Sequence, residues 1–164
     1  MAQPIWTAGT TGAGDFFNIV MTPTGCAGAY KLSVDHWGLP CVSSTVAVTP
    51  EAWNHVAMTF DGSVMQFYVN GVPAGSGTVP MFSYSIGTMD IGGNNVGGST
   101  TRQSFNGLID EAKQYNWALS NAEIQTVYAS SAPASYWPAE ASAVDVAGGN
   151  NGTFTNGSYA TGLN

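Results

Sequence analysis

Charge is the scarcest property of this sequence. Charged residues make up 8% of its 164 residues, and the cations are only three, Lys31, Arg102 and Lys113, which leaves a formal net charge of −7. A protein that grips nucleic acid needs Lys and Arg clustered against phosphate, so that class of partner is excluded. An anionic membrane surface is disfavoured by the same repulsion. Long apolar runs are missing too. None approaches the ~20 residues of a spanning helix, so no membrane insertion is expected. The opening MAQPIWTAG has no charged stretch followed by an apolar one, so no secretory leader is visible. Cysteine is nearly absent: Cys26 and Cys41 stand alone, without a CxxC or a second pair. That argues against a zinc site and leaves a disulfide or two separate thiols open. Low charge beside 44% hydrophobic residues excludes a solvated disordered chain and a long helical bundle with charged outer faces.

Glycine, by contrast, is abundant (21 residues), and turn dipeptides recur at Asp61-Gly62, Asn70-Gly71, Asn106-Gly107, Asn151-Gly152 and Asn156-Gly157. Their density signals tight β-hairpin turns. Between them lie short strand-like runs at 16–21, 29–35, 41–44, 52–60, 63–70, 88–92 and 105–115. A hairpin joining 29–35 to 41–44 around Trp37-Gly38 would set Cys41 near Val34 rather than Cys26. Asp61-Gly62 fits a two-residue type I′ turn, which needs φ > 0 at both central positions, and Asn70-Gly71 repeats the pattern. One stretch differs. Ser120 followed by Glu123 is a capping box, Ala122, Ile124, Val127 and Tyr128 form an apolar face, and Pro133 follows as a stop. The length suits one domain with its own core. The expected fold is all-β, an antiparallel β-sandwich or jelly roll with one short helix.

The ordered motifs WNHVAMTFDGSVMQFYVNG, IGG and FNGLIDEAKQYNWALSNAEI resemble the laminin-G-like jelly-roll family, within the concanavalin A-like lectin and glucanase sandwiches. The resemblance rests on Trp53 to Ala57, Phe60 to Gly62, Tyr68 to Gly71, Ile91-Gly92, Phe105 to Glu111 and Leu119 to Ile124. It covers residues 50–128 well and 1–50 loosely. It is specific for the fold and not for a ligand. One departure concerns order. The opening strand of that family, Tyr-Trp-Pro followed by an Asp and a Gly-Asn loop, stands here at the C-terminus, as Tyr136-Trp137-Pro138, Asp145 and Gly148 to Gly152. Residues 1–133 therefore read as the sandwich. Residues 134–164 read as a returning strand that completes it, as the start of a second tandem copy, or as a strand swapped into a homodimer partner.

The resemblance also frames the chemistry. Glycan-cleaving sandwiches of this class place two carboxylates on one strand at even spacing, so that both face the substrate. Asp110 and Glu111 are adjacent and point to opposite sides of a strand, so no catalytic pair is expected. His55 reads as structural, and no nucleophile-elbow, zincin or phosphate-loop pattern occurs. The chain reads as no enzyme.

Calcium takes six to eight oxygens, and Asp145, Asn150 and Asn151 lie in a Gly-rich loop that can turn carbonyls inward. The family resemblance implies a structural calcium held by Asp110, Asp145 and Asn150, with Glu140 behind them. The alternative is that Asp145 and the asparagines only make Asx turns. Under the calcium reading Asp110 ties the late strand to the returning segment, while the helix plugs one end of the sandwich. For carbohydrate, Trp37 is the foremost exposed aromatic candidate, with Tyr30 and Trp6 behind it. Asn94, Asn95 and Arg102 are candidate polar contacts in the loop before Phe105. Trp53, Trp117 and Trp137 occupy family-pattern positions and are expected to pack inside. The resulting expectation is a non-catalytic carbohydrate-binding module, secreted or at a cell surface, in keeping with a texture that resembles bacterial exported proteins. The rival is a structural or adhesive spacer without a small ligand. Buried tryptophans would favour the spacer, and exposed ones the binding module.

Overall fold

The computed structural model describes residues 3–9, 16–22, 28–35, 42–79, 88–94, 103–131 and 151. Its strands are β1 (Gln3–Gly9), β2 (Phe16–Thr22), β3 (Lys31–Asp35), β4 (Val42–Ala47), β5 (Val56–Phe60), β6 (Val64–Val69), β7 (Val72–Thr78), β8 (Thr88–Ile91), β9 (Gly93–Asn94) and β10 (Gln103–Ser104). One helix, α1 (Asn121–Ser131), follows. A five-stranded sheet has the order β4-β3-β2-β1-β8, a three-stranded sheet the order β5-β6-β7, and β9 and β10 form a short ribbon. All of these pairings are antiparallel. The architecture is the antiparallel sandwich that the sequence led us to expect. The chain divides into two compact units, Met1–Gln125 and Thr126–Asn164. All of the described strands lie in the first. The second contributes to the described residues the last turns of α1, where the Ser130 and Ser131 hydroxyls donate to the Val127 and Tyr128 carbonyls. The three readings of residues 134–164 fall outside the described residues, as do Cys26 and Cys41.

The core forms because strand side chains alternate. Met65, Phe67 and Val69 of β6 are buried with Leu32 and Val34 of β3, Val42 of β4, and Val48, Ala74 and Val79. Partly buried Ile5, Trp6, Ile19, Met21, Val56, Met58 and Phe60 pack around them. Each large apolar side chain so buried contributes about 1.5–3 kcal/mol. The two sheets approach closely where β7 meets β4, and the Thr45 hydroxyl donates to the Ala74 carbonyl at 3.2 Å. This approach explains the composition of β7. Residues 72–78 (VPAGSGT) are poor in strand-forming side chains, yet they pair with β6. A side chain at Gly75 would meet the Thr45 nitrogen at 2.8 Å, and one at Gly77 would meet Val42 Cγ1 at 2.6 Å. Glycine is therefore required by packing rather than by a turn. Where the β3–β4 register shifts between Lys31 and Ser33, the Leu32 N–H finds the Ser44 hydroxyl at 3.0 Å, so the missing ladder bond is replaced.

The two hairpin turns differ. Val69 pairs with Val72, so Asn70-Gly71 is a two-residue loop, and both residues have positive φ (51° and 75°), as a type I′ turn demands. Phe60 pairs with Met65, and the Asp61 N–H reaches the Val64 carbonyl at 3.3 Å. The loop residues are therefore Gly62 and Ser63, and of these only Gly62 has positive φ, 101°. Asp61 is not a central residue of a type I′ turn. Its carboxylate instead accepts the Ser63 and Val64 N–H groups at 2.8 and 2.7 Å, and these bonds hold its pKa below the usual 3.8.

The stretch 105–115 also departs from expectation. Only Gln103–Ser104 enters a ladder, and the chain then runs irregularly to α1. Glu111 has φ 49°, which turns the backbone and removes the strand geometry that was to set Asp110 and Glu111 on opposite faces.

Candidate functional site

The site lies at the end of the sandwich where β3 begins and β4 finishes, with Lys31 opposite Ala47. Three connections meet there. The Val48 N–H donates to the Tyr30 carbonyl at 2.8 Å, which ties the entry to β3 to the exit from β4. The β4–β5 loop is closed by Asn54, whose amide accepts from the Thr49 N–H at 3.1 Å and donates to the Thr49 and Ala52 carbonyls at 2.8 Å. The start of β5 is joined to the Asn70-Gly71 turn, because the His55 N–H donates to Asn70 Oδ1 at 2.9 Å and the Asn70 N–H to the His55 carbonyl at 2.8 Å.

The irregular segment 105–120 spans this end. On the five-stranded side the Phe105 N–H donates to the Gly92 carbonyl at 2.9 Å and the Asn106 N–H to Gln3 Oε1 at 3.3 Å. On the three-stranded side the buried Tyr68 donates its hydroxyl to Asn121 Oδ1 at 2.7 Å. Tyr68 alternates with Phe67 and Val69, so it points away from the core, toward the start of α1. Midway, Lys113 lies close enough to His55 to act on its charge. Partial burial, and then this ammonium, hold the His55 pKa below 6.5. The segment thus runs from the five-stranded sheet to the three-stranded one across this end. The helix start is locked by the capping box read from the sequence. The Ser120 N–H and hydroxyl both donate to Glu123 Oε2 at 2.7 Å, and the Glu123 N–H donates to Ser120 Oγ at 3.3 Å. These bonds hold the Glu123 pKa below 4.5, with the Ser120 hydroxyl the largest cause and the Ser120 N–H the next.

Aromatic rings collect here in water. Trp53 is 70% exposed, Trp117 58%, Tyr30 49% and Tyr115 39%. Tyr115 and Trp117 meet edge to face, with centroids 5.6 Å apart and planes at 71°. The expectation that Trp53 and Trp117 pack inside is therefore overturned. They occupy the family-pattern positions, but those positions lie on the loops that rim the sandwich end. Nothing in the local sequence distinguishes a rim tryptophan from a core one. Trp6, by contrast, packs against the core. Two backbone features mark the same end. Tyr30 and Glu51 have φ of 59° and 57° without being glycine, a conformation costing roughly 1–3 kcal/mol that concentrates at functional sites.

Of the residues expected to bind carbohydrate, Tyr30 belongs to this end. Asn94 lies in β9, opposite Gln103. Trp37, Asn95 and Arg102 lie outside the described residues. Of the calcium set, Asp110 is exposed and its Oδ1 accepts the Glu111 N–H at 2.8 Å, while Asp145 and Asn150 lie outside the described residues. Glu111 pairs with Lys113 at 3.2 Å. Among the described residues no group of three His, Cys, Asp or Glu side chains could hold a metal ion. No helix among the described residues is long and apolar enough to cross a membrane.

A laminin G model of the concanavalin A-like lectin/glucanases superfamily matches residues 2–125. No curated protein matches the chain. Among solved structures, an S-layer domain-containing protein from Clostridium thermocellum ATCC 27405 (its residues 221–444) is similar at 23% identity and a TM-score of 0.39. The match covers 77% of this chain and 63% of that one, so this chain spans less than two thirds of that structure.

Proposed function

The chain belongs to the concanavalin A-like lectin/glucanases superfamily, as a laminin-G-like jelly roll, and from that premise we propose that it is a non-catalytic extracellular module that binds carbohydrate. The observation that carries the reading is the exposure of Trp53, Tyr115, Trp117 and Tyr30 at one end of the sandwich. Exposed tryptophans are what separates a recognition module from an inert spacer, which would bury them. The negative face of an aromatic ring attracts the weakly positive C–H edge of a sugar, and nearby amides and hydroxyls fix its orientation. A neutral, polyhydroxylated ligand also suits a chain of net charge −7. Asp110 and Glu111 serve the turn itself, one accepting its neighbour's N–H and the other pairing with Lys113, a structural use of the only adjacent carboxylate pair on this segment.

A structural calcium is part of the proposal. Asp110, Asp145 and Asn150 are the residues that would hold it. Trp37, Asn94, Asn95 and Arg102 stay in the proposal as further carbohydrate contacts. The test is a glycan-array screen in calcium buffer, repeated in chelator. Binding lost in chelator supports a metal-dependent site. Binding that survives keeps recognition and removes calcium from it. Absence of binding by folded protein moves the reading to a spacer.

A further inference from the structure

Resting on the carbohydrate reading, we propose that the corner between Tyr115 and Trp117 is a subsite for a single neutral pyranose of a soluble glycan, and not a platform for the flat face of an insoluble polysaccharide. A flat polysaccharide surface can stack on several rings only if those rings are coplanar. Here the planes stand at 71° with centroids 5.6 Å apart, so a sheet lying on one ring meets the edge of the other. One sugar ring in the corner stacks its C–H face on one wall and sets its rim against the second, and both walls are exposed to receive it.

The edge-to-face contact is itself the arrangement the two rings adopt in the ligand-free chain. Neutrality follows from the local charges. Asp110, Glu111 and Glu123 are the anions of this segment, and its one cation, Lys113, already pairs with Glu111 at 3.2 Å. A uronate or sialylated sugar would meet net negative charge without an uncommitted cation on the segment.

The experiment compares the full chain with Trp117→Ala, Tyr115→Ala and Trp117→Phe. Each is first confirmed as folded by circular dichroism, which the exposure of both rings favours. The probes are an array of neutral and anionic soluble glycans, and pull-down on microcrystalline cellulose and on insoluble chitin. The expected result is binding to neutral soluble glycans, weakened about tenfold or more by either ring truncation. Trp117→Phe, which keeps a ring, should lose less than Trp117→Ala. Three results would overturn the subsite while leaving carbohydrate recognition standing: preference for anionic glycans, ring-dependent retention on cellulose or chitin, or soluble-glycan binding indifferent to both truncations. If the folded wild type binds none of the probes, the subsite and the carbohydrate reading fall together.

Discussion

Gly77→Ala tests the packing of the two sheets with a magnitude set by named atoms. A Cβ at this position would lie 2.6 Å from Val42 Cγ1 and 3.0 Å from Cγ2, well inside ordinary contact. Overpacking of this kind costs about 1–3 kcal/mol, and loss of glycine freedom in the unfolded chain returns about 0.4–1 kcal/mol. The net expectation is a destabilisation of about 1–2 kcal/mol. The obstructing atoms are the methyl groups of a side chain, so they can be removed. Val42→Ala alone leaves a cavity and costs about 1–3 kcal/mol. In the double variant the new methyl occupies the vacated space, so the pair should cost less than the sum by about 1–2 kcal/mol. Gly75→Ala behaves otherwise. Its Cβ would meet the backbone nitrogen of Thr45 at 2.8 Å, and its φ of +114° is strained for any side chain. It should cost more than Gly77→Ala, and truncating Thr45 should not rescue it. Urea unfolding followed by far-ultraviolet circular dichroism measures all of these, with the slope checked for constancy. Additivity of Gly77→Ala and Val42→Ala within about 0.5 kcal/mol would refute the stated contact between β7 and β4.

Tyr68→Phe removes the 2.7 Å bond to Asn121. It should destabilise by about 1 kcal/mol, read as a lower urea midpoint and faster amide exchange in the first turn of α1. His55 has a folded-state pKa below 6.5, caused first by burial and then by Lys113. The unfolded chain therefore takes a proton first, so stability is whole above pH 6.5 and falls as pH drops below it toward the folded value. An NMR titration should show His55 titrating below the usual range, and Lys113→Gln should move it up without restoring it fully. Asp61 and Glu123 have folded-state pKa values below 3.8 and 4.5. Their contribution is present above those values and is lost as pH falls through the lower folded ones, so Asp61→Ala and Glu123→Ala should each reduce the dependence of melting temperature on pH below about 4.5.

The elements legible in the sequence were those whose signal is local. Asn70-Gly71 needs only its own two positive φ angles, and Ser120 with Glu123 needs only one helical turn. The alternation of Met65, Phe67 and Val69 places β6 in the core without knowledge of its partners. What was not legible depended on distant residues. The need for glycine at positions 75 and 77 is one case, because the strand that crowds these positions, β4, lies far earlier in the sequence. Residues 105–115 have strand-like composition, but a strand needs a partner, and pairing ends at Ser104. Asp61-Gly62 misled because the closing pair sits one residue later than the dipeptide implies. The candidate site was legible only at Tyr30. Trp53 and Trp117 read from sequence as interior residues because tryptophan in a recurring pattern usually packs. Their exposure follows from the path of two loops over the sandwich end, which no local pattern encodes.

The most direct test is to place the folded wild-type chain and a Trp53→Ala, Tyr115→Ala, Trp117→Ala triple variant side by side on one glycan array, at equal concentration and with matched circular dichroism spectra. If the aromatic end of the sandwich is a recognition surface, the wild type binds a defined set of glycans and the variant loses them. Equal binding by the two proteins would contradict the site, and no binding by the wild type would contradict the function.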